Sequence, residues 1–159
     1  MVEIRVTAYD DPDAQKLIAE VQQEYLERYG TPDEGPARPE EFAPPAGLFM
    51  VGYLDGNPVA TGAWRARSAD GGPLRDGDAE IKRMFVVAAA RGRGLARVML
   101  AELERTALAA GRRRMVLETG TEQPEAIELY RSSGYLEMDG FGHYAEDPRS
   151  RYFGKLLTA

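Results

Sequence analysis

Between Val86 and Ala107 the chain reads VVAAARGRGLARVMLAELERTA. An apolar run stops, two glycines alternate with two arginines, and an amphipathic repeat begins. That order of strand, tight turn and helix constrains the fold more than any other segment. Ala96, Met99, Leu100, Leu103 and Ala107 recur at helical spacing, which predicts a helix over 94–110. Glycine at 92 and 94 permits positive φ and close approach of another group to the main chain. Such a turn presents backbone N–H groups at the positive end of a helix dipole, a place suited to an anion. Arg91 and Arg93 bring groups that bind phosphate oxygens, so a pyrophosphate fits. The segment is not a Walker loop, because no Gly-Lys-Ser/Thr follows, and it lacks the third glycine of a dinucleotide fingerprint. A tight turn with solvated arginines is the plain alternative.

The neighbouring segments extend this pattern. EIRVTAYD (3–10) alternates like a strand, and Asp11-Pro12-Asp13 opens a helix that should stop near Gly30. Residues 31–47 are rich in proline, acid and glycine and read as a long loop. Leu48–Leu54 and Val59–Arg67 flank Asp55-Gly56-Asn57, a hairpin. Ala79–Val87 and Arg114–Thr119 read as strands, and 122–134 as a helix with Pro124 early and Gly134 at its end. Two strand-like runs follow, Tyr135–Met138 and Arg151–Leu157. The order β-α-β-β-β-α-β-α-β-β predicts an α/β (mixed α+β) fold, a mixed sheet flanked by helices.

Charge is unevenly placed. The chain has 159 residues and a net charge of −6. Residues 1–79 hold 15 acids against 7 bases, whereas residues 82–114 hold 9 bases against 2 acids. An acidic chain thus gathers its positive charge around the glycine turn, which suggests a local anion site and argues against general nucleic-acid binding. Phe85 is the only aromatic in that basic stretch, too few for a stacking platform. With no cysteine and a single histidine, disulfides, thiolate metal sites and a cysteine nucleophile are excluded. No metal site is expected. The absence of cysteine and of an apolar leader in MVEIRVTAYD fits a cytoplasmic protein. No apolar run approaches the roughly 20 residues of a membrane span, so no membrane partner is expected.

Two motifs together carry a family resemblance. Arg91-x-x-Gly94-x-Ala96, after a strand and before a helix, resembles the acyl-CoA-binding motif of the GNAT superfamily of N-acyltransferases. Ala126-x-x-Leu129-Tyr130-x-x-x-Gly134-Tyr135 resembles that family's downstream helix motif. The likeness is strong over 79–157 and covers only the order of elements before that. Ala88 stands where the family often has proline, and Gln123 where it often has asparagine. The resemblance implies one N-acetyltransferase domain over 1–159. It implies a central, mostly antiparallel sheet with a splayed parallel pair, and acetyl-CoA as co-substrate. Acetyl-CoA would lie between 84–87 and 115–119. Met84, Phe85, Val86 and Val87 would line the pantetheine arm. Arg91, Gly92, Arg93, Gly94, Leu95, Ala96 and Arg97 would surround the pyrophosphate, and Thr119, Gln123, Ala126 and Tyr130 would complete the site.

Transfer to an amine makes three demands. A free amine with pKa near 10.4 is only about one part in two thousand neutral at pH 7, so a base must help. The developing oxyanion needs a donor, which the resemblance places on a backbone N–H near Met84–Phe85. The leaving thiolate needs a proton donor. Tyr130 is the candidate acid by resemblance, one helical turn after Ala126; a buried core tyrosine is the alternative. Glu80 is the candidate base, with a surface ion pair to Lys82 as its alternative, and Glu118 is the second candidate base. His143 reads as a loop residue.

The expected partner is a small-molecule amine. Asp33, Glu34, Glu40 and Glu41 either steer a cationic amine or solvate the loop, whereas an arginine such as Arg83 suits a carboxylate. A non-catalytic acyl-CoA-binding or sensor module of the same fold is the competing function. The resemblance leaves homodimerisation open, and nothing identifies an interface.

Overall fold

The computed structural model describes residues 1–158. Its first element, β1 (Glu3–Val6), is shorter than the alternation suggests, because Tyr9 turns its ring in to stack on Phe42 at 5.2 Å. The α1 helix (Pro12–Tyr29) starts where the Asp11 carboxylate accepts from the Asp13 N–H at 2.9 Å. It stops at Gly30, whose N–H returns to the Leu26 carbonyl. Next come β2 (Gly47–Leu54) and β3 (Asn57–Arg67), joined through Asp55 and Gly56, both at positive φ as a twisted two-residue hairpin demands. They are followed by β4 (Asp78–Val86), α2 (Leu95–Ala109), β5 (Arg114–Gly120), α3 (Pro124–Ser132), β6 (Leu136–Glu137) and β7 (Ser150–Leu156). The strand β6 is shorter than Tyr135–Met138 because Tyr135 caps α3, its N–H donating to the Tyr130 carbonyl.

The strands form one sheet in the order β1-β2-β3-β4-β5-β7-β6, antiparallel except for β4 with β5. Helix α1 buries Ala14, Leu17, Ile18 and Val21 on one face, against Phe49, Val51 and Ala63. Helix α2 buries Met99, Leu100, Leu103 and Ala107 on the other, against Met50, Trp64, Ile81 and Met115. Burying each large apolar side chain contributes roughly 1.5–3 kcal/mol, so this two-sided packing fixes the sheet. Residues 31–46 carry no regular element beyond a 3-10 turn at Pro39–Phe42, anchored by buried Phe42.

The parallel pair positions the site. It holds only from Asp78 opposite Arg114 to Glu80 opposite Val116. Beyond that β4 follows β3, and β5 follows β7. The partition begins beside a bulge. Ala63 pairs with Lys82 but Thr61 pairs with Phe85, so β4 holds one extra residue there. Arg83 takes φ 57°, and its carbonyl accepts from the Thr61 hydroxyl at 2.6 Å. Such a bulge bends and twists its strand, here away from β5. At the closed end Arg114 grips Asp78 with two bonds of 2.8 and 2.7 Å, both residues buried.

Candidate active site

The opening between β4 and β5 is a cavity of about 570 Å³. From β4 it is lined by Met84, Phe85 and Val86. The Val87 N–H donates to Val59 on β3 at 2.9 Å, so strand alternation turns the amides of Met84 and Val86 into the gap. Val87 itself is held on the β3 side and does not line the cavity.

From the turn come Arg91, Gly92 and Gly94, and from the first turn of α2 Leu95, Ala96 and Arg97. Gly94 caps the helix at φ 77°, and Gly92 sits at φ 81°. The first intrahelical bond runs from Val98 to Gly94. The N–H groups of Leu95, Ala96 and Arg97 therefore have no partner in the helix. Among the described residues nothing lies within 4 Å of where a Cβ would stand on Gly92 or Gly94. That open, donor-rich cradle fits a pyrophosphate, and the cleft beyond it fits an extended acyl-pantetheine arm.

Two of the arginines that line the cavity also hold protein partners. Arg91 donates to the Val86 carbonyl at 2.9 Å and to Glu24 on α1 at 2.8 Å. Arg97 donates to Ser133 and Ser132 at the end of α3. Arg93 is exposed and does not line the cavity. The amides, rather than the guanidiniums, face the cradle unengaged.

From β5 and α3 the cavity receives Thr119, Gln123, Ala126 and Tyr130. Tyr130 is 4% exposed and packs edge-on to Tyr135 at 5.6 Å. Burial, with Tyr25 and Glu118 nearby, raises its pKa, so the phenol stays protonated across the physiological range.

Glu118, half-buried on β5, lines the same cavity. Burial pushes its pKa up to about 7, against the pull of Ser150 and Lys82; Asp33 and Glu80 push it further up. Glu80 stands elsewhere. Its Oε1 accepts from Arg65 Nε at 2.9 Å and Arg67 Nη1 at 2.6 Å. It lines a second cavity, of about 410 Å³, and does not line the cleft. The sequence pairing of Glu80 with Lys82 is thus replaced by one across the strands, to β3. Glu118, Lys82 and Tyr144 line both cavities and mark where they meet. His143 lines the second cavity from the loop before β7, its ring 4.6 Å from that of Tyr144.

Each loop acid has a partner within the protein. Asp33 accepts from Lys82 at 3.2 Å, Arg83 at 2.9 Å and Tyr144 at 3.0 Å. Burial alone would raise its pKa, but Lys82, the Gly35 N–H and Arg83 outweigh burial and hold it low. Glu41 pairs with Arg65, Glu40 with Arg38, and Glu34 accepts from Thr31. Arg83 is correspondingly committed to Asp33.

Several lining residues carried no local signal. Tyr25 and Tyr29 reach the cavity from α1, and Tyr144 bonds Asp33 across more than a hundred residues of chain. Only the four-residue spacing of Tyr25 and Tyr29 hinted that they share a face.

Comparison with known proteins agrees with this geometry. Residues 14–135 match the model of the acetyltransferase (GNAT) family. Over 118 residues the chain is 38% identical to the IAA acetyltransferase of Azospirillum brasilense, covering 74% of this chain and 73% of that protein. It is 33% identical to human N-acetylaspartate synthetase over 101 residues, covering 64% of this chain and 32% of that protein. A solved structure described as an acyl-CoA N-acyltransferase from Klebsiella pneumoniae superposes with a TM-score of 0.77, at 28% identity and 99% coverage of both chains.

Proposed function

The chain belongs to the acetyltransferase (GNAT) family, and from that premise we propose that it is an acetyl-CoA-dependent N-acetyltransferase acting on the primary amine of a small molecule. Residues 1–159 are read as one catalytic domain. One arrangement carries this reading. Where β4 and β5 part, Glu118 and Tyr130 line the same cleft as the unengaged amides at the start of α2.

Bound acetyl-CoA supplies the thioester. The chain supplies everything else. Amides of Gly92 to Arg97 hold the pyrophosphate with the help of the α2 dipole. The Met84 N–H, turned into the gap, donates to the thioester oxygen as charge grows there. Glu118 takes the proton of the incoming ammonium. A carboxylate with pKa about 7 is half ionised at neutral pH, near the optimum for a general base. Tyr130, protonated in the free protein, gives its proton to the departing sulfur and is reprotonated by the second proton, shed from the newly acylated nitrogen. Transfer is direct, with no covalent intermediate on the protein.

Thiol release from acetyl-CoA, measured with and without a panel of primary amines, tests this. Amine-dependent release that Tyr130→Phe depresses is expected. Release that no amine accelerates would contradict it.

A further inference from the structure

The second cavity meets the cleft at Glu118 and Lys82 and lies under the loops that cover the β3–β4 face. Its charge is unlike that of the chain. Arg38, Arg65, Arg67 and Lys82 all line it, in a protein of net charge −6. Two of the three lining acids are spoken for. Glu41 is held by Arg65, and both Arg65 and Arg67 sit on one oxygen of Glu80.

Arg67 and Lys82 are among the cations with donors to spare. Among the described residues Arg67 uses only Nη1, toward Glu80, leaving Nε and Nη2. Among the same residues Lys82 donates only to Asp33. Register sets the two on either side of Glu80, since Arg67 pairs with Asp78 and Lys82 with Ala63. Glu80 and Lys82 are two positions apart on β4 and so share a face. Arg67 reaches along the sheet to Glu80. Val116 pairs with Glu80, so Glu118 stands level with Lys82 across the gap.

We infer that this cavity takes an amine that also bears a carboxylate, an α-amino acid, with its carboxylate on Arg67 and Lys82 and its amine at Glu118. This rests on the acetyl-transfer reading and names the acceptor class for it. A planar guanidinium with free Nε and Nη2 matches a carboxylate edge, and an ammonium beside it adds charge. The cavity, about 410 Å³, suits a small acceptor. A polyamine would meet four cations, with two of the three lining acids already engaged. An uncharged amine would leave the spare donors without a partner.

The test compares α-amino acids with their decarboxylated amines: phenylalanine with phenethylamine, ornithine with putrescine, alanine with ethylamine. Thiol release at saturating acetyl-CoA is the readout, with the other proteinogenic amino acids completing the panel. At least one amino acid should exceed its decarboxylated partner by about tenfold or more in kcat/KM. Arg67→Gln should raise KM for that amino acid about tenfold with little change in kcat, and Arg67→Lys should recover part of the loss. Decarboxylated amines acetylated as well as the amino acids would overturn the inference, as would an Arg67→Gln variant with unchanged KM. Acetyl-CoA binding without acetylation of any amino acid would overturn it while leaving the donor site in place. Failure to bind acetyl-CoA would remove the premise, and both readings would fall.

Discussion

Glu118 on β5 stands level with Lys82 on β4, across the gap that opens where the two parallel strands part. One is a carboxyl lifted to about 7 by burial; the other is an ammonium tied to Asp33. The ammonium softens the effect of burial without cancelling it. A base that titrates near neutral pH therefore stands at the mouth shared by two cavities.

Glu118 makes activity and stability respond oppositely to pH. As a base it must be ionised, so kcat/KM should rise with pH and level off above about 7. Stability runs the other way. The unfolded carboxyl ionises near 4.3, whereas the folded one holds its proton to about 7. The native state therefore binds the extra proton between those values and loses stability as pH rises through them. Glu118→Gln should lower kcat by about 100-fold and abolish the acidic limb. The same variant should be more stable than the parent at pH 8 and nearly equal at pH 4, as denaturant titrations at both values would show.

Tyr130→Phe removes a hydroxyl from the cleft and leaves its ring packing intact. Turnover should fall by roughly 10- to 100-fold with acetyl-CoA affinity little changed. Equal turnover in the two proteins would return Tyr130 to a purely structural role.

At the closed end of the parallel pair, Asp78→Ala strands the buried Arg114 guanidinium. Breaking such a pair costs about 3–5 kcal/mol, which a shift in the urea midpoint would report. Pairing it with Arg114→Met should return most of that loss, because no unpaired charge stays buried.

Gly94→Ala and Gly56→Ala form a matched pair. Both glycines are near φ 80°, and no atom of the described residues lies within 4 Å of either added Cβ. Each change should cost about 1–2 kcal/mol of backbone strain. Only Gly94→Ala places a methyl at the cradle, and it alone should weaken acetyl-CoA binding, by about tenfold or more.

Local chemistry made much of the fold legible. Asp11 before Pro12, Gly30 after Tyr29, Asp55-Gly56 and the 92–94 turn each settle a boundary by backbone preference alone. The cradle was legible for the same reason, since amides and dipole follow from strand, glycine and helix. The ion pairs were not. Glu80 and Lys82 look like natural partners along one strand, yet Glu80 pairs sideways with Arg65 and Arg67 on β3, and Lys82 with Asp33 in a loop. Which charge meets which depends on register and on the bulge at Arg83, and neither is written in a local pattern. The same holds for Glu118: its raised pKa comes from burial beneath residues distant in sequence.

The most direct test is calorimetric titration of the protein with acetyl-CoA, with free CoA alongside. Binding in the micromolar range by both ligands, weakened in Gly94→Ala and retained in Tyr130→Phe, is the predicted result. No detectable heat at millimolar acetyl-CoA would contradict the assignment of the β4–β5 cleft as the donor site.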